Sequence, residues 1–210
     1  MTGLHAVLDL DATVVHTEFV DERKLKDILT NPYYDSIRNR IKVLKIIDID
    51  DNFPAGNGHI SIAVVILRPH IEEFINFILE YFDNISIWSA GHKRYVRAIE
   101  SVLFSHDNIL YNRKLKKVLT RQDCNEVTSK SVLKDLESRG FNLSNTIIID
   151  DNKKTFVNNP NNAIHIPIFL PKINEVDEDK SLLRIIDWLK KNNLRECKDV
   201  RNIDKTHIFD

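Results

Sequence analysis

Ala6-Val7-Leu8-Asp9-Leu10-Asp11 runs from apolar side chains straight into two carboxylates one residue apart. The apolar stretch from His5 to Leu10 predicts a short buried strand that stops at a loop. Where a strand ends and the chain turns outward, alternate residues project toward one pocket, so Asp9 and Asp11 are expected to share it. Two carboxylates in one pocket repel each other and do not both stay ionised without a cation. A hard cation such as Mg²⁺ takes oxygen ligands, relieves that repulsion and also neutralises a phosphate. One carboxylate can then serve as nucleophile while the other carries a proton. Standing alone, a D-x-D is most simply an acidic loop without consequence; the partners found further along the chain change that reading.

Working outward, Glu22 to Leu29 is a modest helix candidate. Lys42 to Ile49 and His59 to Leu67 are β-branched runs separated by turn-rich DDNFPAGNG, which predicts a β-hairpin over 42–67. Pro69 suits the first position of a helix, and Ile71, Phe74, Ile75, Ile78, Leu79 and Phe82 follow at helical spacing. A strand is expected from Asn84 to Trp88 and a helix from Tyr95 to Leu103. Thr128 or Ser129 can cap a helix carrying Val132, Leu133 and Leu136, stopped by Gly140. Thr146 to Asp151 is the most strand-like run, Ala163 to Ile166 a weaker one, and Ser181 to Lys190 an amphipathic helix. Alternating strands and helices predict an α/β fold: a central, mostly parallel sheet in three layers with helices on both faces. One domain over 1–192 is expected, followed by a polar, partly mobile tail over 193–210.

In such sheets, sites form outside the carboxyl ends of the strands. Asp150 and Asp151 end a second apolar run and can supply metal ligands from across the site. Lys134 can neutralise a phosphoryl oxygen, although such a lysine is most often a solvated helix charge. Ser89, in WSAG, brings a hydroxyl and adjacent backbone N–H groups. Each is bland singly; together on strand ends they make a phosphate-transfer site. A near copy of the second acidic motif, Ile46 to Asn52, runs into FPAGNG and reads as a solvated hairpin tip.

Composition narrows the class. The 210 residues carry 30 basic and 31 acidic side chains, a net charge of −1, which argues against a protein that coats nucleic acid. Only 5 glycines are present, against about 15 at average usage of ~7%. None forms a glycine-rich phosphate loop or esterase elbow, so phosphate would have to be handled by charge and metal. The two cysteines, Cys124 and Cys197, suit a reducing compartment. No signal peptide or apolar run long enough for a membrane span is apparent, so an intracellular, cytoplasmic or nuclear, protein is expected. The eight histidines form no H-E-x-x-H.

The segments VLDLDATVVHT (Val7 to Thr17), LRPHIEEFINF (Leu67 to Phe77), ISIWSAGHKRYV (Ile85 to Val96), LKDL (Leu133 to Leu136) and TIIIDDNKKTFVNNPNNAI (Thr146 to Ile164) resemble, in order, the haloacid dehalogenase superfamily. Within it they resemble the small C-terminal-domain phosphatases and their FCP-type relatives. The resemblance implies a Rossmann-like three-layer fold and roles by position. Asp9 is then the nucleophile that forms an aspartyl-phosphate, and Asp11 the general acid and base with its carbonyl on Mg²⁺. Ser89 and Lys134 hold the phosphoryl group, Asp150 and Asp151 hold the metal and its waters, and Thr13 supports the first loop. Tyr95 falls where relatives carry a substrate-pocket aromatic, with core packing as the competing reading. Arg121 resembles a substrate-side arginine, a plain surface arginine being the alternative. Arg68 reads as an anchor of the strand-to-helix turn. Two positions depart from the pattern: Ala12 stands where the family has glutamate, and Ser89 where it has threonine. Neither removes an essential group, so an active enzyme is expected.

Between Thr17 and Leu67, and again between Gly91 and Lys134, there is no room for a large cap domain. An open cleft sequesters a small metabolite poorly but admits a protein loop. A phosphoserine or phosphothreonine protein is the favoured substrate, and the resemblance points to the C-terminal repeat of RNA polymerase II. A small-molecule or nucleic-acid-end phosphatase would share the whole catalytic set, and an idle interaction module would share the fold.

Overall fold

The computed structural model describes residues 3–49, 56–104, 107–128 and 131–210. The chain runs through β1 (His5–Leu8), β2 (Val15–Val20), α1 (Glu22–Thr30), β3 (Ile41–Ile47), β4 (Ile60–Leu67), α2 (Ile71–Tyr81), β5 (Asn84–Trp88) and α3 (Lys93–Leu103). It continues through α4 (Ile109–Lys114), β6 (Leu115–Leu119), β7 (Asn125–Thr128), β8 (Ser131–Leu133), β9 (Thr146–Asp150), β10 (Ala163–His165) and α5 (Ser181–Asn192). Five strands form a sheet in the order β10-β9-β1-β5-β6, and every neighbouring pair is parallel. The chain leaves β1 toward β5 and β6, then returns to the other side for β9 and β10. The order therefore reverses at β1, where open α/β sheets place their sites.

Both faces of this sheet are covered, as near-continuous apolar strands require. On one face, Ala6 and Leu8 of β1 join Ile147 and Ile149 of β9 in a core with apolar residues of α2, α3 and α5. The helical spacing of Ile71, Phe74, Ile75, Ile78 and Leu79 places all five inside, each burial contributing roughly 1.5–3 kcal/mol. On the opposite face, Val7, Trp88 and Ile148 pack with Leu136, Phe141 and Phe156. The long helices therefore gather on one side. The helix expected from Thr128 through Leu136 is instead the antiparallel pair β7–β8 and a 3-10 turn, Glu137–Arg139. The β-branched residues of NEVT and SV favour extended backbone there, and only Gly140, at φ 74°, does what was expected of it by ending the turn in left-handed geometry. Ser129 lies outside the described residues.

The predicted hairpin forms as β3 and β4, paired antiparallel from Ile41↔Ile66 to Ile47↔Ile60. A third strand, β2, which the sequence did not announce, adds to the far edge of β4. Pro69 lies in the turn before α2 rather than within it; the helix starts at Ile71, after His70 at φ 64°. At the end of β4 the backbone N–H of Arg68 bonds Val14 O at 3.0 Å. The stretch read as a polar tail packs onto the domain: Leu194, Val200 and Ile208 are buried, and Val200 N–H bonds Ser144 O at 2.9 Å. No helix among the described residues is long and apolar enough to cross a membrane.

Candidate active site

β1, β5 and β9 end side by side, and their carboxyl ends deliver Asp9, Ser89 and Asp150 to one cleft of about 350 Å³. Asp11, Gly91, Lys134 and Asp151 line the same cleft. Among the described residues, concavities of about 420 and 580 Å³ lie elsewhere, but neither gathers comparable reactive groups. The larger is lined by Arg201 and Lys205, whose charges are committed to Asp199 and to the Val200 and Ile203 carbonyls.

Lys134 is the centre of the arrangement. It follows β8 and is 1% exposed, so it is not a solvated helix charge. Its backbone is fixed at both ends, N–H to Thr155 O at 2.6 Å and carbonyl to Asn159 Nδ2 at 2.8 Å. The ammonium donates to Asp9 Oδ1 at 2.5 Å and Asp150 Oδ2 at 2.6 Å. Burial pulls the lysine pKa down, but the adjacent Asp9 and Asp150 charges outweigh it, and the group is held above its ordinary range.

The carboxylates are orchestrated by short local bonds. Thr13 Oγ lies 3.0 Å from Asp9 Oδ2 and 3.1 Å from Asp151 Oδ1; with one proton it donates to one carboxylate at a time, while accepting from Asp151 N–H at 3.1 Å. Asp150 Oδ2 also accepts from Thr155 Oγ at 2.9 Å, and its Oδ1 from Asn152 N–H at 2.8 Å. Burial pushes up the pKa values of Asp9, Asp11 and Asp151, and the Asp150 charge adds to the shift at Asp9 and Asp151. Four carboxylates thus face one buried ammonium.

That imbalance bears on a cation. Among the described residues, Asp9, Asp150 and Asp151 offer oxygens that all lie within 4.8 Å of one another. An all-oxygen, anionic donor set of this kind fits Mg²⁺. The look-alike motif does not join it: Asp48 pairs with Arg94 Nη1 at 3.0 Å and with Gly58 N–H at 2.8 Å, and Asp50 and Asp51 lie outside the described residues.

The remaining expected residues divide. Ser89 Oγ lies 3.5 Å from Asp11 Oδ2, the outer limit of a hydrogen bond, and accepts Gly91 N–H at 3.0 Å. Tyr95, 6% exposed, donates its hydroxyl to Asp11 Oδ1. Arg121 is exposed and lies outside the residues that line the cleft; its N–H bonds Gly91 O at 3.1 Å and its guanidinium lies 4.0 Å from Glu126. Arg68 anchors the turn as read from sequence, donating to the Thr13 and Pro167 carbonyls and to Asp179. Thr17, Asn152, Thr155 and Asn159 are supports the sequence did not reveal, because polar loop residues carry no periodicity to mark them.

Residues 4–201 match the NLI interacting factor-like phosphatase family. The chain is 28% identical over 194 residues to ubiquitin-like domain-containing CTD phosphatase 1 of Gallus gallus, covering 87% of this chain and 61% of that protein. It is 26% identical over 218 residues to the protein of the same name in Xenopus tropicalis, covering 95% and 65%. The chain thus spans less than two thirds of the length of these curated relatives. Among solved structures it resembles that of Fcp1, described as an essential RNA polymerase II CTD phosphatase, with a TM-score of 0.69 at 16% identity, covering 94% of this chain and 68% of the other. At that identity the likeness is one of fold, and it agrees with the haloacid dehalogenase-like architecture expected from the motifs. Because the match runs through nearly every described element, from β1 to the packed C-terminal segment, the chain belongs to the NLI interacting factor-like phosphatase family.

Proposed function

We propose that this protein is a Mg²⁺-dependent phosphomonoester hydrolase that works through an aspartyl-phosphate on Asp9. The observation that supports this most is the convergence of Asp9, Asp11, Ser89 and Lys134, from three separate loops, on one cleft. Asp9, Asp150 and Asp151, with the Asp11 carbonyl, would hold Mg²⁺, which when bound offsets the charge of the phosphoryl group. In the first step an Asp9 carboxylate oxygen bonds to phosphorus as the bond to the substrate oxygen breaks, and the proton on Asp11 passes to that departing oxygen. In the second, water attacks phosphorus, its proton passes to Asp11, and the bond to Asp9 breaks to release phosphate. Lys134 fixes Asp9 for attack, and the Ser89 hydroxyl, held by Gly91 N–H, contacts the phosphoryl oxygens.

The favoured substrate is a phosphoserine or phosphothreonine in an extended protein segment. The inserted β2-β4-β3 sheet is a small addition rather than a large cap, which suits a cleft that admits a peptide. The names of the relatives support the phosphorylated C-terminal repeat of RNA polymerase II as the target, and hence an intracellular, nuclear or cytoplasmic, site of action. Hydrolysis of an aryl phosphate by wild type and Asp9→Asn, with and without Mg²⁺, tests the mechanism. Turnover should require the metal and vanish in the variant; an inactive wild type, or an active Asp9→Asn, would sink it.

A further inference from the structure

We infer that Tyr95 is a positioning residue for the proton-transfer step: its hydroxyl, itself held by Thr17, fixes one oxygen of the Asp11 carboxyl so that the other faces the departing group. This rests on the reading of Asp11 as general acid and base. Tyr95 comes from the first turns of α3 and Thr17 from β2. Their oxygens lie 2.6 Å apart, and Tyr95 donates to Asp11 Oδ1. With the tyrosine proton committed to the carboxylate, Thr17 is the donor in the first contact.

Direction and side both follow. The tyrosine hydroxyl meets a carboxyl oxygen that accepts, so the bond runs from Tyr95 to Asp11 Oδ1. Oδ1 is thereby occupied, while Oδ2 is the oxygen that Ser89 approaches in the cleft. The ring is locked as well: it is 6% exposed and packs against Phe19, with centroids 5.9 Å apart. Two of the three groups, Thr17 and Phe19, come from β2, so the inserted sheet helps to aim the acid. The burial of Tyr95 and its contact with Asp11 are what distinguish this role from direct substrate contact.

The leaving group supplies the test. A serine alkoxide needs a proton as it departs, whereas p-nitrophenolate spreads its own charge and leaves without one. Tyr95→Phe keeps the ring and removes the hydroxyl. It should lower kcat/KM on a phosphoserine peptide by about tenfold or more while leaving p-nitrophenyl phosphate within about twofold. A general loss of structure would lower both alike, and an equal effect on the two substrates overturns the inference. Thr17→Val, which keeps Tyr95, should discriminate in the same direction and decides the matter should Tyr95→Phe not fold. Asp11→Asn serves as the reference. If it discriminates and the other variants do not, only the role of Tyr95 fails; if it does not discriminate either, the acid assignment fails and the inference with it.

Discussion

The Arg68 guanidinium donates to the Thr13 carbonyl at 2.7 Å, tying the end of β4 to the loop that carries Asp9 and Asp11. The same side chain pairs with Asp179 at 2.9 Å and bonds the Pro167 carbonyl at 2.9 Å. A fully buried cation thus joins three segments far apart in sequence behind the site. Arg68→Met would strand Asp179 and two carbonyls, at a cost of about 3–5 kcal/mol. Urea unfolding should show this fall in stability. A change under about 1 kcal/mol would mean that the loop is held by other contacts.

Asp179 gives that linkage an acid limit. Burial raises its carboxyl pKa, but the Ser181 backbone N–H and the Arg68 charge outweigh burial and hold it below the usual carboxylate value. Its folded pKa is therefore lower than its unfolded one. The associated stability is present above the unfolded value, about 3.9, and is lost as pH falls through the folded pKa. Denaturation midpoints measured from about pH 5 down to 3 should drop less steeply in Asp179→Asn than in wild type, and parallel curves would contradict this.

Gly91 is the glycine that borders the cleft, and its role is close approach rather than unusual backbone. A Cβ there would lie 2.8 Å from Tyr95 Cδ1 and 3.2 Å from Ser89 Oγ. Gly91→Ala should therefore displace the Tyr95 ring or the Ser89 hydroxyl, and a shift near 1 Å costs up to about 100-fold in rate. The expected result is a kcat/KM loss between tenfold and 100-fold with an unchanged far-ultraviolet circular dichroism spectrum. Activity within twofold of wild type would show that the pocket yields without harm.

Ala12 sits at φ 58°, a conformation that costs an L-residue roughly 1–2 kcal/mol. Two bonds hold it there: Ala12 N–H to Val15 O at 2.7 Å and Phe169 N–H to Ala12 O at 2.6 Å. Ala12→Gly removes the steric cost but adds about 0.5–1 kcal/mol of chain entropy to the unfolded state. The net expectation is a gain of ~0.5–1 kcal/mol with activity retained. A lower melting temperature for the variant would rule it out.

The sequence carried β1, β5 and β9 of the parallel sheet because they are short apolar runs ending in polar groups, and period and punctuation survive in such runs; it did not carry the edge strand β6, whose LKKVL is interrupted by two lysines. It carried α2, α3 and α5 through their buried stripes. It did not carry β2, since VHTEFV alternates only weakly and gains its order from pairing with β4. The stretch 125–139 misled because capping residues and a terminal glycine imitate a helix, while the requirement that Lys134 reach two strand ends is a tertiary one. The acidic motifs and their spacing marked the carboxylates, but nothing local could show that Tyr95 meets Asp11. The C-terminal segment looked like a free tail because its buried residues, Leu194, Val200 and Ile208, are spaced too widely for any periodic pattern.

Lys134 is where a bland sequence reading and the structure diverge most, and its removal tests the cleft's charge balance. Lys134→Met leaves Asp9 and Asp150 without the ammonium that bridges them. Breaking such a buried arrangement costs about 3–5 kcal/mol, so the variant should melt well below wild type in metal-free buffer at neutral pH. A cation bound by the native state adds stability that grows with the logarithm of its concentration relative to its dissociation constant, and it would meet less competing positive charge in the variant. Saturating Mg²⁺ should therefore raise the melting temperature of Lys134→Met by more than that of wild type, while phosphatase activity stays at least 100-fold down. Calorimetry with Mg²⁺ and with a chelator separates the outcomes. If Mg²⁺ leaves both proteins unmoved, Asp9, Asp150 and Asp151 do not hold the cation, and Lys134 balances their charge alone.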